Sequence, residues 1–80
     1  MAINRRILLL ACSDGLFPSA ITVDRLREFD WDPVANHILI TSRNMVVLAD
    51  IPDRILELII VDNIKKSKDP VRSQRLKEIL

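Results

Sequence analysis

The chain has 80 residues, of which 49% are hydrophobic, and its formal net charge at pH 7 is +1. Ile, Leu and Val account for 28 residues, whereas only three are aromatic. This composition predicts one small domain over residues 1–80 and excludes disordered and collagen-like chains. No uncharged stretch approaches the ~20 residues of a membrane span, so we expect a cytoplasmic protein without direct membrane insertion. The near-neutral charge and the lack of stacking aromatics argue against a nucleic-acid partner.

The N-terminal half contains two predicted strands that flank one predicted helix. Ile7–Ala11 is an uninterrupted apolar run, which is typical of a parallel strand covered on both faces. Ser19 is a good helix N-cap, and apolar residues recur every three positions after it, which predicts a helix over about 20–29. His37–Ser42 is a second apolar run and is predicted to form the second strand.

The stretch after residue 44 allows two interpretations. A short helix capped by Asn44 is predicted over Met45–Asp50. The sequence Asp50–Asp53 then either opens a long helix or ends the short one before a buried third strand over 55–61. Periodicity does not distinguish these alternatives, but the alternation of strands and helices before this point favours the strand.

The C-terminal segment is predicted to be a helix that begins at Asp69-Pro70, because proline suits the first helical position. The order of elements is then βαβαβα. This order predicts a small three-layer α/β domain, in which helices cover an open, Rossmann-like parallel sheet.

The loop Cys12–Ser19 is the candidate functional site, because ligands of open parallel sheets bind at the carboxyl ends of the strands. A glycine-containing loop that leads into a helix N-terminus favours anions, because its backbone N–H groups turn inward and the helix dipole is positive there. The same positive potential stabilises a cysteine thiolate. The alternative for Cys12 is a small buried apolar residue. One cysteine and one histidine form neither a disulfide nor a zinc site, so no metal and no cofactor are predicted.

The run Ile7–Ala20 contains the pattern Cys-x-x-Gly-x-x-x-Ser after the predicted strand, and it resembles the IIB domain of the bacterial sugar phosphotransferase system. The lactose/cellobiose and mannitol types both carry this pattern. The segment from His37 to Met45 is similar to a stretch of the mannitol type, and Glu57–Asn63 is similar to its last strand. The resemblance therefore also favours a strand at about 55–61.

The resemblance implies a parallel sheet in the order 2-1-3-4 and a phosphoryl-carrier function. The cysteine of this family accepts a phosphoryl group from a histidine of the IIA partner and passes it to a sugar held by the membrane IIC partner. Cys12 would then be the nucleophile. The residues implied to bind the phosphoryl group are Ser13, Asp14, Gly15, Leu16, Ser19 and Arg43. For Arg43, a solvated arginine in a turn is an equal alternative to a phosphate contact.

The sequence departs from the family in two places. The family's second strand has no counterpart before His37, and Phe17 and Pro18 replace small residues in the loop. Proline has no N–H group to offer a phosphate. Two functions therefore remain, a phosphocysteine carrier and a non-catalytic module, degenerate or engineered, that acts as a scaffold or through protein contacts.

The missing strand also predicts a homodimer. Without its neighbour, Ile7–Ala11 would lie at the edge of the sheet with unpaired backbone N–H and C=O groups. Pairing of two such edges across a two-fold axis would bury both of them. The alternative is a monomer in which Trp31 and the turn Asp30–Asn36 cover the edge.

Overall fold

The computed structural model of the chain describes residues 2–80 and is mainly helical. Its elements are α1 (Arg5–Ser13), β1 (Ala20–Thr22), α2 (Val23–Glu28), β2 (Met45–Val47), a 3-10 turn (Leu48–Asp50), α3 (Asp53–Lys66) and α4 (Pro70–Lys77). The strands β1 and β2 form a two-stranded antiparallel sheet in which Ile21 lies opposite Val46. The predicted three-layer, Rossmann-like parallel sheet is therefore wrong.

The first predicted strand, Ile7–Ala11, lies inside α1. The side chain of Asn4 caps this helix by accepting a hydrogen bond from the Ile7 backbone N–H at 3.3 Å. Leucine and alanine are strong helix formers, and the helix buries Leu8 and Ala11 one turn apart on its inner face. Because the segment is helical, it has no strand edge, and the homodimer predicted through an edge strand at Ile7–Ala11 loses its basis.

The predicted helix over 20–29 begins three residues later than expected. Residues 20–22 form β1, and the side chain of Thr22 caps α2 by accepting from the Arg25 N–H at 3.1 Å. Ser19 does not cap a helix; its carbonyl instead accepts from Leu48 N–H at 3.1 Å and extends the sheet. The β-branched pair before Val23 favours extended backbone, which explains the shorter helix.

The segment 29–44 connects α2 to β2 without forming a helix or a strand. Trp31 and Pro33 are buried and hold it against the core. The strand predicted over His37–Ser42 is absent, and only Thr41 bonds to β2, through its N–H to the Met45 carbonyl at 2.8 Å. The predicted Met45–Asp50 α-helix is wrong as well: Met45–Val47 form β2, where β-branched residues favour extended backbone, and only Leu48–Asp50 form a short 3-10 turn.

The C-terminal third consists of two helices. The long-helix alternative is confirmed by α3, and the third strand predicted over 55–61 is wrong. The buried side chains of α3 follow helical spacing at 55, 56, 59 and 60. The predicted start of the last helix is confirmed, because the Asp69 carboxylate accepts from the Val71 N–H at 2.9 Å and Pro70 occupies the first turn.

Arg5 connects α1 to the start of α3. Its guanidinium donates to the carboxylate of Asp53 at 2.6 Å and to the carbonyl of Ile51 at 2.9 Å. A weaker contact of 3.3 Å reaches the carbonyl of Leu48. This arginine therefore satisfies three acceptors on the segment that leads into α3.

Arg25 connects α2 to α3. It donates to the carboxylates of Glu28 and Asp62, and its guanidinium carbon lies 4.8 Å above the centre of the Phe29 ring. Lys66 also donates to Asp62, at 3.1 Å. The hydrogen bonds from Lys66 and Arg25 lower the pKa of the Asp62 carboxyl.

A single hydrophobic core draws side chains from all four helices and both strands. Its fully buried residues are Leu8, Ala11, Leu26, Val46, Ile51, Ile55, Leu56, Ile59, Ile60, Leu76 and Ile79. Within residues 2–80, no helix has both the length and the apolar character needed to cross a membrane.

Candidate functional site

A surface cavity of about 470 Å³ lies at the C-terminal end of α1. The residues that line it are Cys12, Gly15, Leu16, Phe17, Pro18, Ser19 and Arg72. Four of the seven residues predicted as nucleophile or phosphate contacts therefore meet at one place. The other three, Ser13, Asp14 and Arg43, lie outside it.

Gly15 ends the helix and does not begin an anion site. It adopts a left-handed φ of 74°, and its N–H donates to the carbonyl of Cys12 at 3.1 Å. The N–H of Leu16 donates to the carbonyl of Ala11 at 2.8 Å. These two bonds form a Schellman motif, which closes the last turn of a helix. The backbone N–H groups of Gly15 and Leu16 are therefore used to terminate α1.

The environment of Cys12 favours the thiol over the thiolate. The residue lies in the last turn of α1, where the helix dipole presents its negative end. Its Sγ lies 3.6 Å from the Pro18 carbonyl, to which the thiol can donate. Burial raises the pKa of the Cys12 thiol, although a backbone hydrogen bond opposes this effect. The thiol pKa is therefore raised, whereas a cysteine beside a helix N-terminus was predicted to have a lowered pKa.

Arg72 is the residue of the cavity that the sequence did not single out. Its Nε donates to the carbonyl of Leu16 at 3.2 Å, and its Nη2 donates to Asn63 Oδ1 at 3.1 Å. The guanidinium thus ties the loop after α1 to α3. Because Arg72 is 56 positions from Leu16 in the sequence, only the packing of α4 beside α1 brings the two together.

The three predicted contacts outside the cavity have other environments. Ser13 is exposed on α1, and Asp14 accepts a hydrogen bond from Arg75 on α4 at 2.5 Å. Arg43 is exposed in the turn before β2, and its backbone N–H donates to Thr41 Oγ1 at 3.3 Å. Residues 2–80 contain no cluster of three or more His, Cys, Asp or Glu side chains that could hold a metal ion.

The outward surface of α1 is a second candidate site. Arg6, Leu9, Leu10 and Ser13 are all exposed and share one face of the helix, since they follow the spacing i, i+3, i+4, i+7. Leu9 is 64% exposed and Leu10 is 59% exposed. We call these four residues the α1 face. Two adjacent leucines in the middle of an otherwise polar helix surface have no role in the core.

Comparison with known proteins gives no assignment: no family model, no curated protein and no solved structure matches this chain.

Proposed function

We propose that the chain is a non-catalytic protein-interaction module that docks through the α1 face. The observation that carries this proposal is the exposure of Leu9 and Leu10 side by side on a helix that is fixed at both ends. Exposed apolar side chains that are clustered, and not scattered, mark protein interaction sites. Full burial of a leucine contributes about 1.5–3 kcal/mol, so two leucines can supply much of the affinity of a small interface.

The surroundings of Cys12 support a non-catalytic function over phosphoryl transfer. A phosphocysteine carrier needs a thiolate and a set of N–H donors directed at the phosphate. Here burial raises the thiol pKa, and Pro18 has no N–H group. The Arg72 guanidinium donates to the loop and to α3. The cysteine, the proline and the arginine of this cavity therefore hold the loop after α1 in place, and none of them is arranged to bind a phosphoryl group.

The partner that suits the α1 face is a helix with an apolar stripe. The face is about two turns long and narrow, with polar side chains at both ends. A helix laid along it can place its own apolar side chains against the two leucines, as in helix recognition by i and i+3 or i+4 contacts. An extended strand has no backbone groups to pair with here, because the N–H and C=O groups of α1 bond within the helix.

The test uses a phage-displayed library of random peptides, which is selected for binding to the immobilised protein. Selected peptides are then measured against Leu9→Ser/Leu10→Ser and against Leu58→Ser, which changes an exposed leucine on α3 and serves as the matched control. We expect the α1 double variant to weaken binding at least about tenfold, equivalent to about 1.4 kcal/mol, and the control to bind as wild type. Peptides that bind all three proteins equally would contradict the proposal. Circular dichroism checks that both variants are folded.

A further inference from the structure

Building on the proposed function, we infer that the occupant of the α1 face is a second copy of this chain. The two α1 helices would lie antiparallel across a two-fold axis that passes between Leu9 and Leu10. This arrangement uses a helix surface and is distinct from the pairing of strand edges that the sequence predicted.

The spacing of the α1 face fits such an axis. When it passes between positions 9 and 10, Leu9 of one copy meets Leu10 of the other, and each contact occurs twice. The same operation places Arg6 opposite Ser13 of the second copy. The apolar centre and the polar ends of the face therefore coincide in the two copies.

The charges at the two ends of the face are complementary. Arg6 is exposed and forms no ion pair among residues 2–80. Asp14 follows Ser13 directly and is about half exposed, and Arg75 contacts its Oδ2. The Oδ1 atom of Asp14 therefore remains for the Arg6 of a second copy, and the pair forms twice in the dimer. A parallel pair of helices would instead place Arg6 beside Arg6 and Asp14 beside Asp14, which is repulsive.

The size of the surface limits the affinity. A nine-residue helix is roughly 13.5 Å long, whereas a standard stable interface buries about 800 Å² on each partner. The α1 face alone supplies only part of that area. We therefore expect a reversible dimer whose dissociation constant lies between about 10 µM and 1 mM, and not a permanent one.

Sedimentation velocity from about 10 µM to 1 mM protein tests the inference, since it covers the expected dissociation constant. We expect the wild type to shift from monomer to dimer and Leu9→Ser/Leu10→Ser to remain monomeric. Leu58→Ser is the control and should dimerise as wild type. At low salt, Arg6→Asp or Asp14→Arg alone should weaken the dimer roughly tenfold, because each places like charges together. The double variant Arg6→Asp/Asp14→Arg should recover most of the loss.

Two results would overturn the inference: a wild type that stays monomeric over the whole range, or a dimer that is indifferent to the leucine substitutions. Failure of the charge exchange to rescue would overturn the antiparallel orientation. The outcome is separable from that of the peptide selection. A monomeric wild type whose selected peptides still require Leu9 and Leu10 would overturn the second copy as occupant and leave the interaction module standing.

Discussion

Two neighbouring leucines in α1 should respond in opposite ways to truncation. Leu8 is 1% exposed and belongs to the core, whereas Leu9 is 64% exposed. Leu8→Ala should lower the free energy of unfolding by about 2–5 kcal/mol, because it removes buried methyl groups and leaves a cavity. Leu9→Ala should change it by less than about 0.5 kcal/mol, because the side chain is mostly in water and alanine is at least as good a helix former.

The difference is large relative to the stability of a chain of this length. A total of about 0.05–0.15 kcal/mol per residue gives roughly 4–12 kcal/mol for 80 residues. Leu8→Ala therefore removes between a sixth and all of the stability. Since 1 kcal/mol shifts the midpoint temperature of a small domain by about 4–8 °C, the expected fall is roughly 8–40 °C.

Urea unfolding measures both variants directly. Trp31 is the only tryptophan and is 4% exposed, so its fluorescence reports the loss of the core. The protein concentration is kept near 1 µM, where association through the α1 face does not contribute to the apparent stability. If Leu9→Ala cost as much as Leu8→Ala, the segment would be buried on both faces, as in a central strand, and the assignment of α1 would be refuted.

Three further outcomes are expected. Arg5→Ala should lower the free energy of unfolding by about 1–2 kcal/mol, because it removes the charged donor to Asp53 Oδ1 and to the carbonyls of Ile51 and Leu48, and Arg5→Lys should recover only part of this in the same urea assay. Cys12 should react with iodoacetamide at pH 7.5 more slowly in the folded protein than in urea, because its raised pKa reduces the thiolate fraction; equal rates would contradict the environment described for this thiol. Since the pKa of Asp62 is lowered in the folded state, its contribution is present above the carboxyl's unfolded pKa and is lost as the pH falls through the folded one. The stability gap between wild type and Asp62→Asn should therefore close on acidification, and a gap that is constant with pH would contradict the prediction.

Local structure could be predicted from the sequence where a short motif forms the same structure in any fold. Asp69 followed by Pro70 marks a helix start on any fold, because the carboxylate caps free N–H groups and proline needs no hydrogen bond there. The long helix α3 was one of two alternatives, and the wrong one was favoured because the preceding elements had been assigned as strands.

The apolar run in α1 led to a wrong strand prediction, because identical apolar residues within it differ in burial. Leu8, Leu9 and Leu10 are identical in sequence terms, yet only Leu8 enters the core. A run without polar residues carries no period, so a buried strand and a helix with an exposed apolar face are indistinguishable. Because this run was interpreted as a strand, the elements after it were interpreted as parts of a parallel sheet.

The predicted anion site was wrong for a similar reason, because Gly15 can have either of two structural roles. A cysteine followed three positions later by glycine occurs in loops that bind phosphate and also at the last turn of a helix that ends in a Schellman motif. The residue type is the same because both need a left-handed backbone, but the N–H groups point at an anion in one case and at carbonyls in the other. Only the state of the preceding segment distinguishes the two. Arg72 was unpredictable because its partner, Leu16, is distant in sequence.

The arrangement of helices also sets the order in which the chain should fold. Only residues 67–69 separate α3 from α4, so these helices can form and pack with little loss of chain entropy. The first helix must close a loop of more than 50 residues before it reaches α4, and the carbonyl of Ile79 then accepts from the N–H of Asn4 at 2.8 Å. Contacts of high sequence separation tend to form after local ones. We therefore expect substitutions in α3 to slow folding, whereas Leu8→Ala in α1 chiefly accelerates unfolding.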